Sequence, residues 1–457
     1  MASFRRIMQI YSRYVACLSL IHVDAECGCR RPRSTFPVWR ASQKDSIMAE
    51  IRFASRAASI GKRPPPIVAL DAIKLGGGNA FPDLLPDVSA EAADVATLFR
   101  TEALQYGPLY GLPELRQEIV RFLTEDGVTA NVDNILILNG AKQALDLLLR
   151  TLVDKGDAVV VSRPTYLSAL SIIRNHEASI IEIDSDEGGM KVDELEAKLR
   201  RLRAEGGKLP KLLFEVPDFH NPTGITLSEE RRRTLVRLAE EFDFFILEDD
   251  PYRRLRFSGE AVAPIKSFDT NGRVIGAGTF SKILAPGIRV GWANGDPAII
   301  GRMAALKSEG GCCPLTQRIV LDLLRSGRIA HHIAELTPVM KRHRDAMTDA
   351  FRLHLPEARF RAPDGGYFLW VELPDGVDAN AVTLEAERDG VIVFPGQLSF
   401  ASAPPVNFIR LAFSYCGPDQ IERGVRKLCA VVRRQQTDVS AQPGQAEALS
   451  LAGRHYD

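Results

Sequence analysis

The sequence predicts an α/β protein: a large domain with a mostly parallel sheet covered by helices on both faces, plus a smaller α+β domain. Three observations carry this reading. Between residues 134 and 300, nearly continuous apolar segments of strand length alternate with amphipathic segments of helix length, the pattern of a sheet buried on both faces. After residue 300 the texture changes to long helical stretches and then to a strand-rich close. With 457 residues, 45% of them apolar and 25% charged, the chain can bury a large core and divide into lobes.

Residues 1–47 differ in composition from the rest. Arg5, Arg6, Arg13, Arg30, Arg31, Arg33 and Arg40 stand against only Asp24, Glu26 and Asp45, which suits a transit peptide; the other reading is an extension ahead of a functional chain that opens at Met48. Residues 48–105 form an N-terminal segment expected to pack with the small domain and a partner subunit. Its stretch from about 69 to 86 holds three consecutive glycines and two prolines, irregular backbone able to approach a ligand or a neighbouring subunit closely.

The large domain is expected over 106–305. Tyr106-Gly107-Pro108 and Gly111 break the chain before Pro113 opens a helix with Leu115, Ile119 and Leu123 on one face. NILILNG, DAVVVSRP, SIIEID, KLLFEVPD, FFILEDD, VIGAGTF and IRVGW read as strands. AKQALDLLLRTLV, TYLSALSIIRNHE, KVDELEAKLRRLRAEG and SEERRRTLVRLAEEF read as the helices among them, with the arginine run 231–233 as a solvated face. The small domain, 306–434, carries long helical patterns, in which His331 and His332 read as solvent-facing, and then RFRAPDGGYFLWVEL, GVIVFPGQLSF and VNFIRLAFS as strands before a final helix. Residues 435–457 lack either periodicity and read as a mobile tail.

Composition excludes several function classes. Lysine plus arginine equals aspartate plus glutamate at 58 each, so the balance argues for neither a nucleic-acid nor an anionic-membrane partner. No apolar run reaches the roughly 18–20 residues of a membrane span. The seven cysteines lack the spacing and nearby histidines of a metal site, so no metal is expected, and they suit reduced thiols in the cytoplasm, or in mitochondria if residues 1–47 are a transit peptide.

In an open parallel sheet, ligands bind beyond the carboxyl ends of the strands. That rule gathers Asn139-Gly140, Pro164 to Tyr166, Pro217 to Gly224, Glu248 to Tyr252 and Ser281-Lys282 into one crevice. A lysine desolvated there has a lowered pKa and forms Schiff bases with carbonyls. Gly140-Ala141-Lys142-Gln143 opens a helix straight after a strand, a place for a phosphate. Tyr166 offers a ring to stack on, Asp249 a carboxylate to keep a ring nitrogen protonated, and Asn221 with Tyr252 donors for a phenolic oxygen. His220 reads as packing rather than as a base.

HNPTG, EDDPY and TFSKILAPGIRVGW in this order resemble the pyridoxal-phosphate enzymes of the aspartate aminotransferase fold, over about residues 66–432. QYGPLYGLPELR and EDDPY look like the group of 2-aminoadipate and kynurenine aminotransferases. The resemblance implies that Lys282 is the Schiff-base lysine, that Asp249 pairs with the ring nitrogen, that Asn221 and Tyr252 hold the ring oxygen, and that Tyr166 stacks on the ring. It implies a phosphate held by Ala141, Lys142, Thr279, Ser281 and Arg289, with Tyr106 reaching across from a second subunit of a homodimer. It further implies a substrate α-carboxylate forked by Arg410, with Asn221 and Gly78 beside it. Ala141 and Lys142 depart from the serine and glutamine frequent in relatives, removing one hydroxyl contact. The implied activity moves the α-amino group of an amino acid to a 2-oxo acid such as 2-oxoglutarate; a decarboxylase, lyase or oxidase on the same fold and a non-catalytic cofactor-sensing module are the alternatives.

Overall fold

The computed structural model describes Ala54 and residues 71–441; the expectations for 1–47 and for 442–457 lie outside the described residues. The central feature is an eight-stranded sheet. Its strands are β2 (Ile135–Leu138), β3 (Ala158–Arg163), β4 (Ser179–Asp186), β5 (Gly189–Met190), β6 (Leu212–Glu215), β7 (Phe245–Asp250), β8 (Val274–Thr279) and β9 (Gly291–Asn294), in the order β2-β9-β8-β7-β6-β3-β4-β5. The pairs β3·β4, β3·β6, β6·β7 and β7·β8 are parallel, whereas β9 runs antiparallel between β8 and β2.

The sequence explains the layering. Every residue of β2, β6 and β9 is buried, as expected of strands covered on both faces. One face packs against α3 (Pro113–Thr124) and α4 (Lys142–Leu152), whose Leu115, Ile119, Leu145 and Leu148 join the largest apolar core. The other packs against α6 (Val192–Ala204) and α7 (Glu229–Phe242) through Leu195, Leu199, Leu235, Leu238 and Phe242. A helix-period stripe of this kind buries only if it meets a sheet.

In the second lobe, β10 (Arg359–Phe360), β11 (Phe368–Glu372), β14 (Phe408–Ala412) and β13 (Phe394–Pro395) form an antiparallel sheet in that order. It packs with α10 (Arg328–His354), α11 (Ala379–Arg388) and α12 (Pro418–Ala441) around a core of its own. The expected strand GVIVFPGQLSF is divided: β12 (Val391–Ile392) pairs in parallel with β1 (Ile73–Lys74), and β13 turns away to pair with β14. The N-terminal segment is thus stitched into the second lobe.

Four expectations are corrected. IRVGW enters the sheet only at Gly291, because Pro286–Ile288 is a 3₁₀ turn and Arg289 takes a left-handed φ of 56°. α12 continues through 435–441 into the expected tail, where Arg434 and Gln435 bond Glu385 at 2.6 and 2.8 Å. His332 is buried. Arg232, expected on a solvated face, is fully buried, its guanidinium 3.1 Å from Asp218 and bonded to the carbonyls of Leu227, Pro217 and Ala263. It lies three, seven and ten residues before Leu235, Ala239 and Phe242, on the inward stripe of α7.

Candidate active site

Leu138, Gly291 and Thr279 stand level across β2, β9 and β8, so the turns after β2 and β8 open at the same sheet edge. With the ends of β6 and β7 they surround a cavity of about 270 Å³. Gly78, Ala141, Lys142, Tyr166, Asn221, Asp249, Tyr252, Thr279, Ser281, Lys282, Arg289 and Arg410 all line it. Tyr106 does not; it is 97% exposed.

Lys282 follows β8 and its Nζ donates to the Gly78 carbonyl at 2.7 Å. Its backbone is fixed separately, because the buried Tyr367 hydroxyl donates to the Lys282 carbonyl at 2.7 Å. A Cβ at Gly78 would lie 2.8 Å from Phe368 Cζ, so any other residue there would have to displace that ring. Arg410, on β14, reaches the same place from the second lobe. Its Nη1 donates to Asn221 Oδ1 at 2.9 Å and its Nη2 to the Gly76 carbonyl at 2.7 Å. Phe368 and Phe394 lie 4.3 and 4.1 Å from the guanidinium, a cation–π clamp that fixes its plane.

At the other end of the cavity, Thr279 Oγ1 and Ser281 Oγ are 2.9 Å apart, and Arg289 Nη1 donates to Ser281 Oγ at 3.5 Å. Arg289 Nη2 also donates to the Asn139 carbonyl. Gly140, at φ 91°, permits this: a Cβ there would come 2.6 Å from Arg289 Nη2. α4 starts beside it without a side-chain cap, its Gln143 and Ala144 amides closing on the Gly140 and Ala141 carbonyls at 3.2 and 2.9 Å, so the positive end of the helix faces the cavity at Ala141 and Lys142. Tyr166 carries the Lys142 ammonium 5.5 Å from its ring centroid.

Asp249 ends β7. Burial raises its pKa and Asp250 raises it further, while Lys142 and Lys282 oppose both, leaving it at about 7. Its Oδ1 is buried and has no hydrogen-bond partner among the described residues. Burial and nearby charges hold the Tyr252 hydroxyl well above its ordinary value, so it stays a donor. His220 is outside the lining of this cavity; burial pulls its pKa down to about 3, and its Nδ1 pairs with Thr223 Oγ1 at 3.0 Å.

Sequence reasoning missed Phe368 and Tyr367. Phe368 pairs with Ala412, two residues from Arg410 and on the same face. Only the strand register, which GGYFLWVEL does not display, brings it to the site.

A lysine, a buried acid and an anion-binding turn at the carboxyl edge of one sheet form the arrangement of a pyridoxal-phosphate enzyme. The chain belongs to the aminotransferase class I and II family, whose model matches residues 71–428. It is 36% identical to the aromatic-amino-acid aminotransferase 1 of Thermococcus litoralis, covering 86% of this chain and 95% of that one. It is 32% identical to the 2-aminoadipate transaminase of Thermus thermophilus, over 78% of this chain and 89% of the relative. The crystal structure of the Pyrococcus horikoshii kynurenine aminotransferase in complex with PMP superposes with a TM-score of 0.79 at 38% identity, covering 84% and 97% of the two chains. The protein is accordingly a pyridoxal-phosphate-dependent aminotransferase of the aspartate aminotransferase fold.

The residues present fit this cofactor. The buried Asp249 Oδ1 lacks the donor that a protonated pyridine nitrogen supplies, and the Gly140 turn has room for Arg289 that any other residue would fill.

The raised pKa of Asp249 has a measurable consequence. Between its ordinary value of 3.8 and about 7, the folded cofactor-free chain holds a proton that the unfolded chain has released. Its contribution to stability therefore falls as pH rises through that window. Cofactor-free Asp249→Asn is expected to melt at a higher temperature than cofactor-free wild type at pH 8, with the difference closing towards pH 4. Thermal denaturation across pH measures this.

Proposed function

We propose that the cavity passes the α-amino group of an amino acid to a 2-oxo acid, 2-oxoglutarate being the expected acceptor, with Lys282 as both the cofactor's attachment point and the proton carrier. One observation carries this reading: the Gly76–Gly78 loop holds the Arg410 guanidinium with one carbonyl and the Lys282 ammonium with another. A single short segment thus fixes the group that would fork the α-carboxylate relative to the group that would take the proton from the adjacent Cα.

Bound pyridoxal phosphate supplies an aldehyde that condenses with amines and a ring that draws electrons away from Cα. Asp249 would accept the ring N–H, Asn221 and Tyr252 would donate to the ring oxygen, and Tyr166 would stack on the ring. Ala141, Lys142, Thr279, Ser281 and Arg289 receive the phosphate. Arg410 would orient the substrate carboxylate, and Lys282 would take the Cα proton and be placed to return one to the cofactor. Phe368, Val216 and Tyr252 wall the cavity and limit water near the exposed proton.

The protein acts as a homodimer with Tyr106 reaching the partner's phosphate site. The exposed Leu85, Leu98, Leu104, Tyr106 and Leu109 fall within one segment, supporting an interface there. The boundaries at 106–305 and 306–434 divide the cofactor domain from the substrate-arginine domain. Cytoplasmic placement rests on Cys312, Cys313, Cys416 and Cys429 being free thiols.

Adding an amino acid alone to the holoenzyme should convert the bound cofactor to its amine form with one equivalent of 2-oxo acid released. Ammonia or carbon dioxide release instead would overturn transamination. A panel of donors in this half-reaction would identify the substrate.

A further inference from the structure

We propose that Arg253, outside the cavity, is a positioning residue that sets the charge seen by the cofactor's ring nitrogen by tying the strand end bearing Asp249 to the loop bearing Asn221. This rests on the functional reading above.

The geometry is that of a buried hub. Arg253 Nε donates to Asp250 Oδ2 at 2.5 Å and its backbone N–H to Asp250 Oδ1 at 3.2 Å. Nη2 lies 2.7 Å from Asp218 Oδ2 and 3.4 Å from Glu248 Oε1, and Nη1 donates to the Val262 carbonyl at 2.7 Å. Glu248 and Asp250 are the immediate chain neighbours of Asp249, and Asp218 lies three residues before Asn221. One guanidinium thus grips both elements that face the ring. Asp218 is wholly buried and is met by two further arginines, Arg232 at 3.1 Å and Arg256 at 3.2 Å. The lattice of Asp218, Glu248 and Asp250 with Arg232, Arg253 and Arg256 is therefore balanced in formal charge.

The groups facing Asp249 are Asp250 on its own strand, Lys142 from α4, Lys282 from the turn after β8, and Tyr252. Those facing Arg253 are Asp218, Glu248 and Asp250, with Asp126 from the end of α3 and the like charges of Arg232 and Arg256 beyond. Burial opposes the charge on Arg253, yet Asp250, Asp218 and Glu248 together hold its pKa above the ordinary value; it is a permanent cation. Without it, Asp250 acts uncompensated on Asp249, and the negative potential at the ring strengthens. Protons bound there, including the one at the cofactor's lysine linkage, are then held to higher pH. Removing the Asp250 charge does the reverse.

The test is a pH titration of the holoenzyme's visible cofactor absorbance. In Arg253→Gln the midpoint should rise by about half to one pH unit, and in Asp250→Asn it should fall by a similar amount. Arg253→Gln/Asp250→Asn should return close to wild type, and Arg253→Lys, which keeps the charge, should stay near it. Should Arg253→Gln fail to fold, Asp250→Asn still decides, because its Arg253 keeps Asp218 and Glu248. An unmoved midpoint in Asp250→Asn, or a double variant that titrates like Arg253→Gln, overturns the proposal. Wild type showing no lysine-bound cofactor absorbance would overturn the functional reading itself, a distinct outcome.

Discussion

Lys282→Ala is expected to lose turnover by about 10⁴-fold or more, nearly all of it in kcat. The ammonium has two duties in the proposed scheme, joining the cofactor and moving the proton, and no other lysine of the cavity is held against the Gly76–Gly78 loop as Lys282 is. Lys142, the second lysine lining the cavity, sits over Tyr166 and cannot take over a proton transfer set up by Gly78. The variant should still fold, because the Tyr367 hydroxyl grips the backbone carbonyl of residue 282 and not its side chain. Steady-state kinetics with a thermal melt as control separates the two effects. The variant should bind cofactor without the absorbance of the lysine-linked form, and a fully active variant would sink the assignment.

The site was legible in the sequence where chemistry is local. Strand ends carry Asn221, Asp249 and Lys282 in short, specific wordings, and each of these residues lines one cavity. The alternation of apolar strands and amphipathic helices foretold seven of the eight strands of the sheet, because burial on both faces leaves a pattern along the chain, whereas the two-residue β5 leaves none. What the sequence did not display depends on register and long-range pairing. Phe368 reaches the cavity only because β11 pairs with β14 at Phe368 and Ala412. β12 and β13 split because Val391 and Ile392 find β1, over three hundred residues earlier. Charged positions misled for a related reason. Arg232 follows the inward stripe of α7, but nothing local announces the buried Asp218 that makes an inward arginine tolerable. Nothing local marks Arg253 either, and only the folded chain shows it closing on three carboxylates.

Arg410→Ala is expected to lower kcat/KM for α-amino acids by about 10²- to 10³-fold, or about 3–4 kcal/mol, within the range for truncating one partner of a buried, hydrogen-bonded charge pair. The loss should fall mainly on KM. A fork to the α-carboxylate is made in the bound substrate and persists through the proton transfer, so it contributes uniform binding. This is the opposite split from Lys282→Ala. Arg410→Lys should recover little, because the guanidinium plane is set by Phe368 and Phe394 and by donation to both Asn221 and Gly76, and a single ammonium cannot fill that fork. Truncation also leaves the buried Asn221 carboxamide without its 2.9 Å donor, so a modest weakening of cofactor binding should accompany the substrate defect. The discriminating measurement uses an amine donor that has no carboxylate: slow in wild type, it should react equally slowly in Arg410→Ala. If that donor lost as much as an amino acid does, Arg410 would be acting through the cofactor rather than through the carboxylate.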